Sequence, residues 1–165
     1  MTLISESLVS SLENQMGHEN KNAHIYLFLA GYLNSKGMNK IAAFFENQYQ
    51  EELGHQKMIY SLLVDLDVSP NISEVQETSQ MSLGLRESIV SIAEKFMERE
   101  IITTKNLEEI LDLAVDEGNH VVGEFMRGMI EKQQHEYAEA TEFMDKAKIC
   151  GDNWMNVLIW NASFG

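Results

Sequence analysis

One cysteine, one proline and 12 basic residues in a chain of 165 are its scarcities. The lone Cys150 excludes an internal disulfide framework, a cysteine-rich zinc site and a rubredoxin-type iron site. With Pro70 the sole proline and few alternating strand-like runs, the chain is predicted to be helical almost throughout. The 12 Lys and Arg stand against 26 Asp and Glu, and the resulting charge of −14 repels nucleic acid and attracts cations. No run approaches the roughly 18 apolar residues needed to span a membrane. The opening "MTLISESLVSSLENQ" lacks a basic segment leading into an apolar one, so no signal peptide and a cytoplasmic protein are expected. A His-Glu-x-x-His motif, a phosphate-binding loop, a Gly-rich dinucleotide turn and a nucleophile elbow are all missing.

What remains is the composition of a globular protein, 44% hydrophobic and 23% charged, of a length that makes a single domain over residues 1–165. Polar breaks at "NSKGMN" (34–39), "DVSPNISEVQETSQMS" (67–82), "DEGNH" (116–120) and "CGDN" (150–153) divide it. They predict helices over 5–35, 39–66, 83–115 and 119–148, and a short one over 153–162. Four helices of that length suit an all-α bundle. Short breaks make the first and second helices, and the third and fourth, antiparallel. The long connection can run the length of the bundle and set the second and third parallel.

Each helix can be read against the 4-3 spacing of a bundle seam. The first gives Leu8, Leu12, Met16, Glu19, Ala23, Tyr26, Ala30 and Leu33. The second gives Ile41, Phe45, Gln48, Glu52, His55, Ile59, Leu62 and Leu66, with its polar residues confined to the middle. The fourth gives Val122, Met126, Met129, Gln133, Glu136, Ala140, Phe143 and Ala147. For the third, the stripe through Ile89, Ala93, Phe96, Glu100, Thr103, Leu107, Ile110 and Ala114 puts Glu100 inside. A seam shifted by one would insert Arg99 instead, and the first version is preferred because it keeps Leu107, Ile110 and Ala114 inside.

Every helix thus carries a carboxylate near its centre on the face that should be apolar. Buried carboxylates without counter-charge are costly, so they must be protonated, paired with bases or bound to cations. Two divalent ions would balance four carboxylates. Glu52 with His55, and Gln133 with Glu136, are i, i+3 pairs on one helix face. An oxygen-rich set with one imidazole suits iron or manganese. Di-iron bundles use a Glu from each of two helices and Glu-x-x-His from each of the other two; here one of those motifs is Gln-x-x-Glu. Methionines on the stripes read as core filler. Tyr26 falls two turns after Glu19, beside the expected site, while His18, His24, His120 and His135 fall off the stripes.

These residues resemble the non-haem bacterial and archaeal ferritins. The likeness runs through "LENQMGHE", "AAFFENQYQEELGHQKM", "REIITTKNLEEIL" and "FMRGMIEKQQHEYAE" to a short fifth helix after "CGDN". It implies a ferritin-like four-helix bundle with one long crossover and a short C-terminal helix. It also implies a ferroxidase centre, with Glu19, Glu52 and His55 at a first iron, Glu52 bridging to a second iron held by Glu100 and Glu136, Gln133 lining that site and Tyr26 next to the first iron. Two departures stand out. Arg99 replaces the histidine often found before the third-helix glutamate. Of an accessory third iron site only Glu51 remains, with Lys132 and His135 at its other positions. Leu53 stands where a haem-binding relative would have methionine, so no haem is expected, and rubrerythrin-like and miniature-ferritin readings fit less well.

The resemblance implies storage by oxidation: Fe(II) binds as a pair, O2 or H2O2 takes the electrons, and Fe(III) is mineralised inside a homo-oligomeric shell of 24 subunits. The apolar last helix, with Trp154, Met155, Val157, Leu158, Ile159 and Trp160, is expected either to pack around a four-fold axis of that shell or to fold back on its own bundle. Two other readings stay open. One is a di-iron or di-manganese oxidase, or a peroxide-scavenging protein, in a smaller oligomer; the other is a bundle whose polar layer only fixes helix register.

Overall fold

The computed structural model describes residues 3–73 and 88–165. Five helices make up the described architecture: α1 (Glu6–Ser35), α2 (Asn39–Asp65), α3 (Ile89–Asp116), α4 (His120–Cys150) and α5 (Trp154–Ser163). The described residues contain no strand. None of the helices is long and apolar enough to cross a membrane. The expected start of the third helix at 83, and most of the 67–82 connection, lie outside the described residues; α3 is described from its N-cap, Ser88.

Local chemistry fixes the helix ends. Ser5, Ser88, Asn119 and Asn153 each accept a backbone N–H of the first turn that follows. At the far ends, Gly37 (φ 78°) and Gly118 (φ 67°) take the left-handed conformation that lets Met38 and Asn119 donate back to Leu33 and Ala114. The fourth helix runs two residues past its expected end because the stop is Gly151, at φ 61°, and not the cysteine before it. The second closes one residue early, at Asp65, where Leu66 becomes the cap.

Packing pairs α1 with α2 and α3 with α4, with α1 also lying against α3. Ser5, at the start of α1, donates to Glu117 at the end of α3, so these two helices are antiparallel. Since the tight turn at Gly37 makes α2 antiparallel to α1 as well, α2 and α3 run parallel and need a crossover between them. The short α5 closes one end. Its Asn161 Oδ1 accepts the backbone N–H groups of Lys40 and Ile41, 3.0 Å each, capping an α2 N-terminus that has no side-chain cap of its own. Val157 is buried against the bundle, while Met155, Leu158 and Ile159 face out. Thus α5 folds back on its own bundle and still presents an apolar outer face.

The core is in two parts. One cluster, rich in aromatics such as Tyr26, Phe45, Phe96 and Phe143, fills the end near α5; the other, built on Leu8, Leu12, Ile59, Leu63, Leu107 and Met126, fills the opposite end. Between them lies a buried polar layer.

Candidate metal centre

Four amphipathic stripes meet in that layer, and each delivers its central polar residue to the same level. Glu19 comes from α1, Glu52 and His55 from one face of α2, Glu100 from α3, and Gln133 and Glu136 from one face of α4. Glu19, Glu52 and Glu100 are 0% exposed, and Gln133 and Glu136 nearly so. In α3 it is Glu100 that turns into the bundle, while Arg99 bonds across to α1.

The six residues form two overlapping triads. Donor atoms of Glu19, Glu52 and His55 lie within 4.8 Å of one another, as do those of Glu52, Glu100 and Glu136. Glu52 belongs to both. The His55 ring sits between the carboxylates, with Nδ1 3.9 Å from both Glu19 Oε2 and Glu52 Oε2, and Nε2 3.3 Å from Glu136 Oε1. Glu100 is held at both oxygens: Tyr26 O–H donates to Oε1 at 2.5 Å and Gln133 Nε2 to Oε2 at 2.6 Å. Gln15 donates to Glu19 Oε1 at 2.9 Å.

Electrostatics show what the arrangement lacks. Burial raises the pKa of Glu52, and repulsion from Glu19, Glu100 and Glu136 raises it further. Burial also works against charge on Glu19, but its close approach to Glu52 and His55 and the hydrogen bond from Gln15 outweigh it and hold that group low, near 2. Burial lifts Glu136 to about 8 against the pull of His55, and lifts Glu100 against the hydrogen bonds from Tyr26 and Gln133. His55 resists burial because Glu19 and Glu136 favour its charged form, and its pKa rises. Without a cation, the layer is tolerable only by taking up protons.

Buried oxygens without a partner supply an independent test of fit. Glu19 Oε2, both oxygens of Glu52 and Glu136 Oε2 have no hydrogen bond, although such groups in a core normally have one. All belong to the triads. Four carboxylates and one imidazole match divalent iron or manganese by charge and donor type.

Residues outside the triads sort themselves clearly. His24 Nδ1 bonds its own helix at Asn20 O, and His120 is exposed. Glu51, Lys132 and His135, where the resemblance implies an accessory position, are all exposed, and the Lys132 ammonium is turned to Met58 Sδ at 3.7 Å. Gln48 Nε2 donates to Glu139 Oε2 at 2.9 Å, leaving its own Oε1 buried and unpartnered.

Stripe reasoning found Thr103 but missed the polar cluster it belongs to beside the centre, made with the buried Asn22 and Arg99 and the half-buried His18. Burial and then the Arg99 charge lower the pKa of His18 to about 4, so the ring is neutral. Two i, i+4 polar pairs flanking facing seams, His18 with Asn22 and Arg99 with Thr103, were the signal that could have found it.

Known proteins share this architecture. The family model described as a ferritin-like domain matches residues 9–150. The bacterial non-heme ferritin of Bacteroides fragilis is 26% identical over 150 residues, covering 91% of this chain and 92% of that protein. A probable bacterial non-heme ferritin-like protein of Haemophilus influenzae is 22% identical over 163 residues, covering 99% and 96%. Among solved structures, an open pore ferritin from the archaeon Archaeoglobus fulgidus superposes with a TM-score of 0.91 at 24% identity, covering 99% of this chain and 98% of that one. The structural likeness establishes the fold, and the match across residues 9–150 takes in every helix that contributes to the carboxylate layer: the chain belongs to the ferritin-like domain family.

Proposed function

We propose that this chain is a subunit of an iron-storage ferritin that oxidises Fe(II) at the carboxylate layer. The observation that carries the reading is Glu52, fully buried, shared by both triads and unbonded at both oxygens. A carboxylate so placed is a bridge waiting for two cations. Fe(II) is here the substrate. One ion is held by Glu19, Glu52 and His55, the other by Glu52, Glu100 and Glu136, with Gln133 lining the second position.

The two ions lose one electron each. Dioxygen takes both electrons with two protons to give hydrogen peroxide, or peroxide takes them to give two waters. Pairing the metals lets one oxidant accept two electrons without a one-electron radical escaping. The chain's own contribution is placement. Gln15 orients Glu19, while Tyr26 and Gln133 orient Glu100, and the two apolar clusters keep bulk water from both sides. Metal uptake displaces the protons that burial and mutual repulsion favour on Glu52 and Glu136, and the proton that Glu19 and Glu136 favour on His55. Gln133, a neutral amide, holds metal weakly and favours release of Fe(III) as cargo.

In this reading the subunits assemble into a cytoplasmic, haem-free shell of 24 that holds the mineral. The family match supports storage, and the exposed apolar face of α5 supports assembly through that helix. The test is rapid-mixing oxidation of Fe(II) with particle mass measured alongside. Glu52→Ala combined with His55→Ala should abolish fast oxidation while leaving the assembled mass unchanged; unaltered oxidation removes the assignment. A wild-type particle far smaller than 24 subunits would favour an oxidase of the same superfamily.

A further inference from the structure

Arg99 is 5% exposed, yet among the described residues it forms no ion pair with a carboxylate. Its partners are neutral: Nε donates to Asn22 Oδ1 at 2.7 Å and Nη2 to His18 Nδ1 at 3.1 Å. The proton positions follow from the ring of contacts. Thr103 Oγ1 spends its one hydrogen on the Arg99 carbonyl at 2.9 Å, so its 2.7 Å contact with His18 Nε2 must be donated by the imidazole. His18 Nδ1 is then a bare lone pair, free to accept from the guanidinium. Asn22 Nδ2 donates to the same threonine oxygen at 3.0 Å, closing the ring. The cluster therefore holds a single charge, and guanidinium does not surrender it.

A buried cation among neutral partners is costly unless opposite charge lies near. Here that charge lies on the exposed Glu98 of the same helix and on the carboxylate layer. Arg99 precedes Glu100 in α3 and lies within electrostatic reach of Tyr26, Glu98, Glu52 and Glu100, while Asn22 and His18 tie its side chain to α1 and away from the triads. It adds a fixed positive charge beside the layer without occupying a ligand position.

We propose that Arg99 is a positioning residue: a fixed positive charge that acts through Glu100 to weaken the hold of the second metal position on a divalent ion. The inference rests on the reading of the layer as a metal centre. It gives that reading a direction, because a position that passes cargo onward needs weak retention. Glu100 adds to the asymmetry, since Tyr26 and Gln133 already occupy its two oxygens, whereas Glu19 at the first position keeps Oε2 free.

The test titrates Zn(II), a redox-inert probe, calorimetrically into metal-free assembled protein. Wild type is compared with Arg99→Gln, Arg99→Met and Arg99→Lys, and thermal melts in EDTA report folding. Wild type should take two ions per chain with unequal affinity. In the Gln and Met variants the weaker affinity should tighten about tenfold, the scale on which a unit charge acts on a divalent ion across several ångströms of well-screened protein. In Arg99→Lys, which keeps the charge, it should stay within about twofold of wild type. Met fills the site without bringing an unpaired donor and keeps the test open if Gln does not fold. Neutral variants with wild-type Zn(II) affinity and only a lower melting temperature would overturn the proposal, leaving Arg99 a purely structural member. A Lys variant that tightens like the neutral ones would also overturn it. A wild type that binds no Zn(II) would instead remove the metal-centre reading, and this inference with it.

Discussion

Replacing Glu52 with methionine should make the metal-free protein more stable and the metal-loaded protein relatively less so. Glu52 is 0% exposed, with both oxygens unpartnered and three other glutamates around it. A buried polar group left without hydrogen bonds costs about 1–3 kcal/mol, and an apolar side chain of similar length removes that penalty. Taking about 2 kcal/mol as the gain, and about 2–4 °C per kcal/mol for a chain of this size, the variant should melt about 4–8 °C above wild type in EDTA. Divalent metal at a hundred times its dissociation constant stabilises wild type by about 2.7 kcal/mol. The variant lacks the ligand common to both triads and forfeits that gain. The order of melting temperatures should therefore reverse when Zn(II) replaces EDTA, as read by differential scanning calorimetry on matched samples. A variant that melts below wild type in EDTA refutes the reasoning: Glu52 would then be stabilising the fold itself, and the layer would be a register device.

Two further outcomes can be checked on the metal-free protein. Glu136 is raised to about 8 and His55 is raised as well, so the folded state binds more protons than the unfolded one above the ordinary carboxylate range; for both groups stability falls as pH rises toward their folded values. From pH 6 to pH 8 in EDTA, the Glu136 contribution alone should lower unfolding stability by about 2 kcal/mol in urea titrations, whereas a flat or rising profile would contradict the assigned burial. Asn161→Ala removes the acceptor for two N–H groups at the start of α2 and should lower stability by about 1 kcal/mol without changing Zn(II) affinity; an unchanged urea midpoint would mean that water replaces the cap.

The seams were legible because burial follows the 4-3 period with little exception. In the first, third and fourth helices every striped residue is buried; in the second, only His55 is partly open. The choice of Glu100 over Arg99 followed from the apolar residues it kept inside, and the geometry explains why a one-residue slip looked plausible. Arg99 is also buried, but toward α1 and not toward the bundle axis. A stripe locates residues that face all neighbours together. It misses those facing one neighbour across a flank, which is where His18 and Asn22 meet Arg99 beside the striped Thr103. The two expectations for α5 were framed as alternatives, yet a helix has two sides. Val157 and Asn161 dock on the chain's own bundle while Met155, Leu158 and Ile159 stay outside. Hydrophobicity alone could not divide those faces, because the segment is apolar almost all round.

The partition of the core explains how such a layer can exist in a stable protein. An aromatic cluster at one end and an aliphatic one at the other each join residues from α1 to α4 without using a triad residue. Burial of apolar surface, the main favourable term in folding, is thus secured on both sides of the layer. The helices act as rails whose spacing is set elsewhere, so the middle can hold four glutamates at distances that its own energetics would oppose. Within it the two sides differ. On the second side both oxygens of Glu100 are already engaged by Tyr26 and Gln133, so an ion that takes Glu100 must compete with existing bonds even though Glu136 Oε2 is free; on the Glu19 and Glu52 side unpartnered oxygens are ready beside an imidazole. A symmetric site would hold both ions alike. This one pairs a prepared position with a guarded one, through a single glutamate common to both.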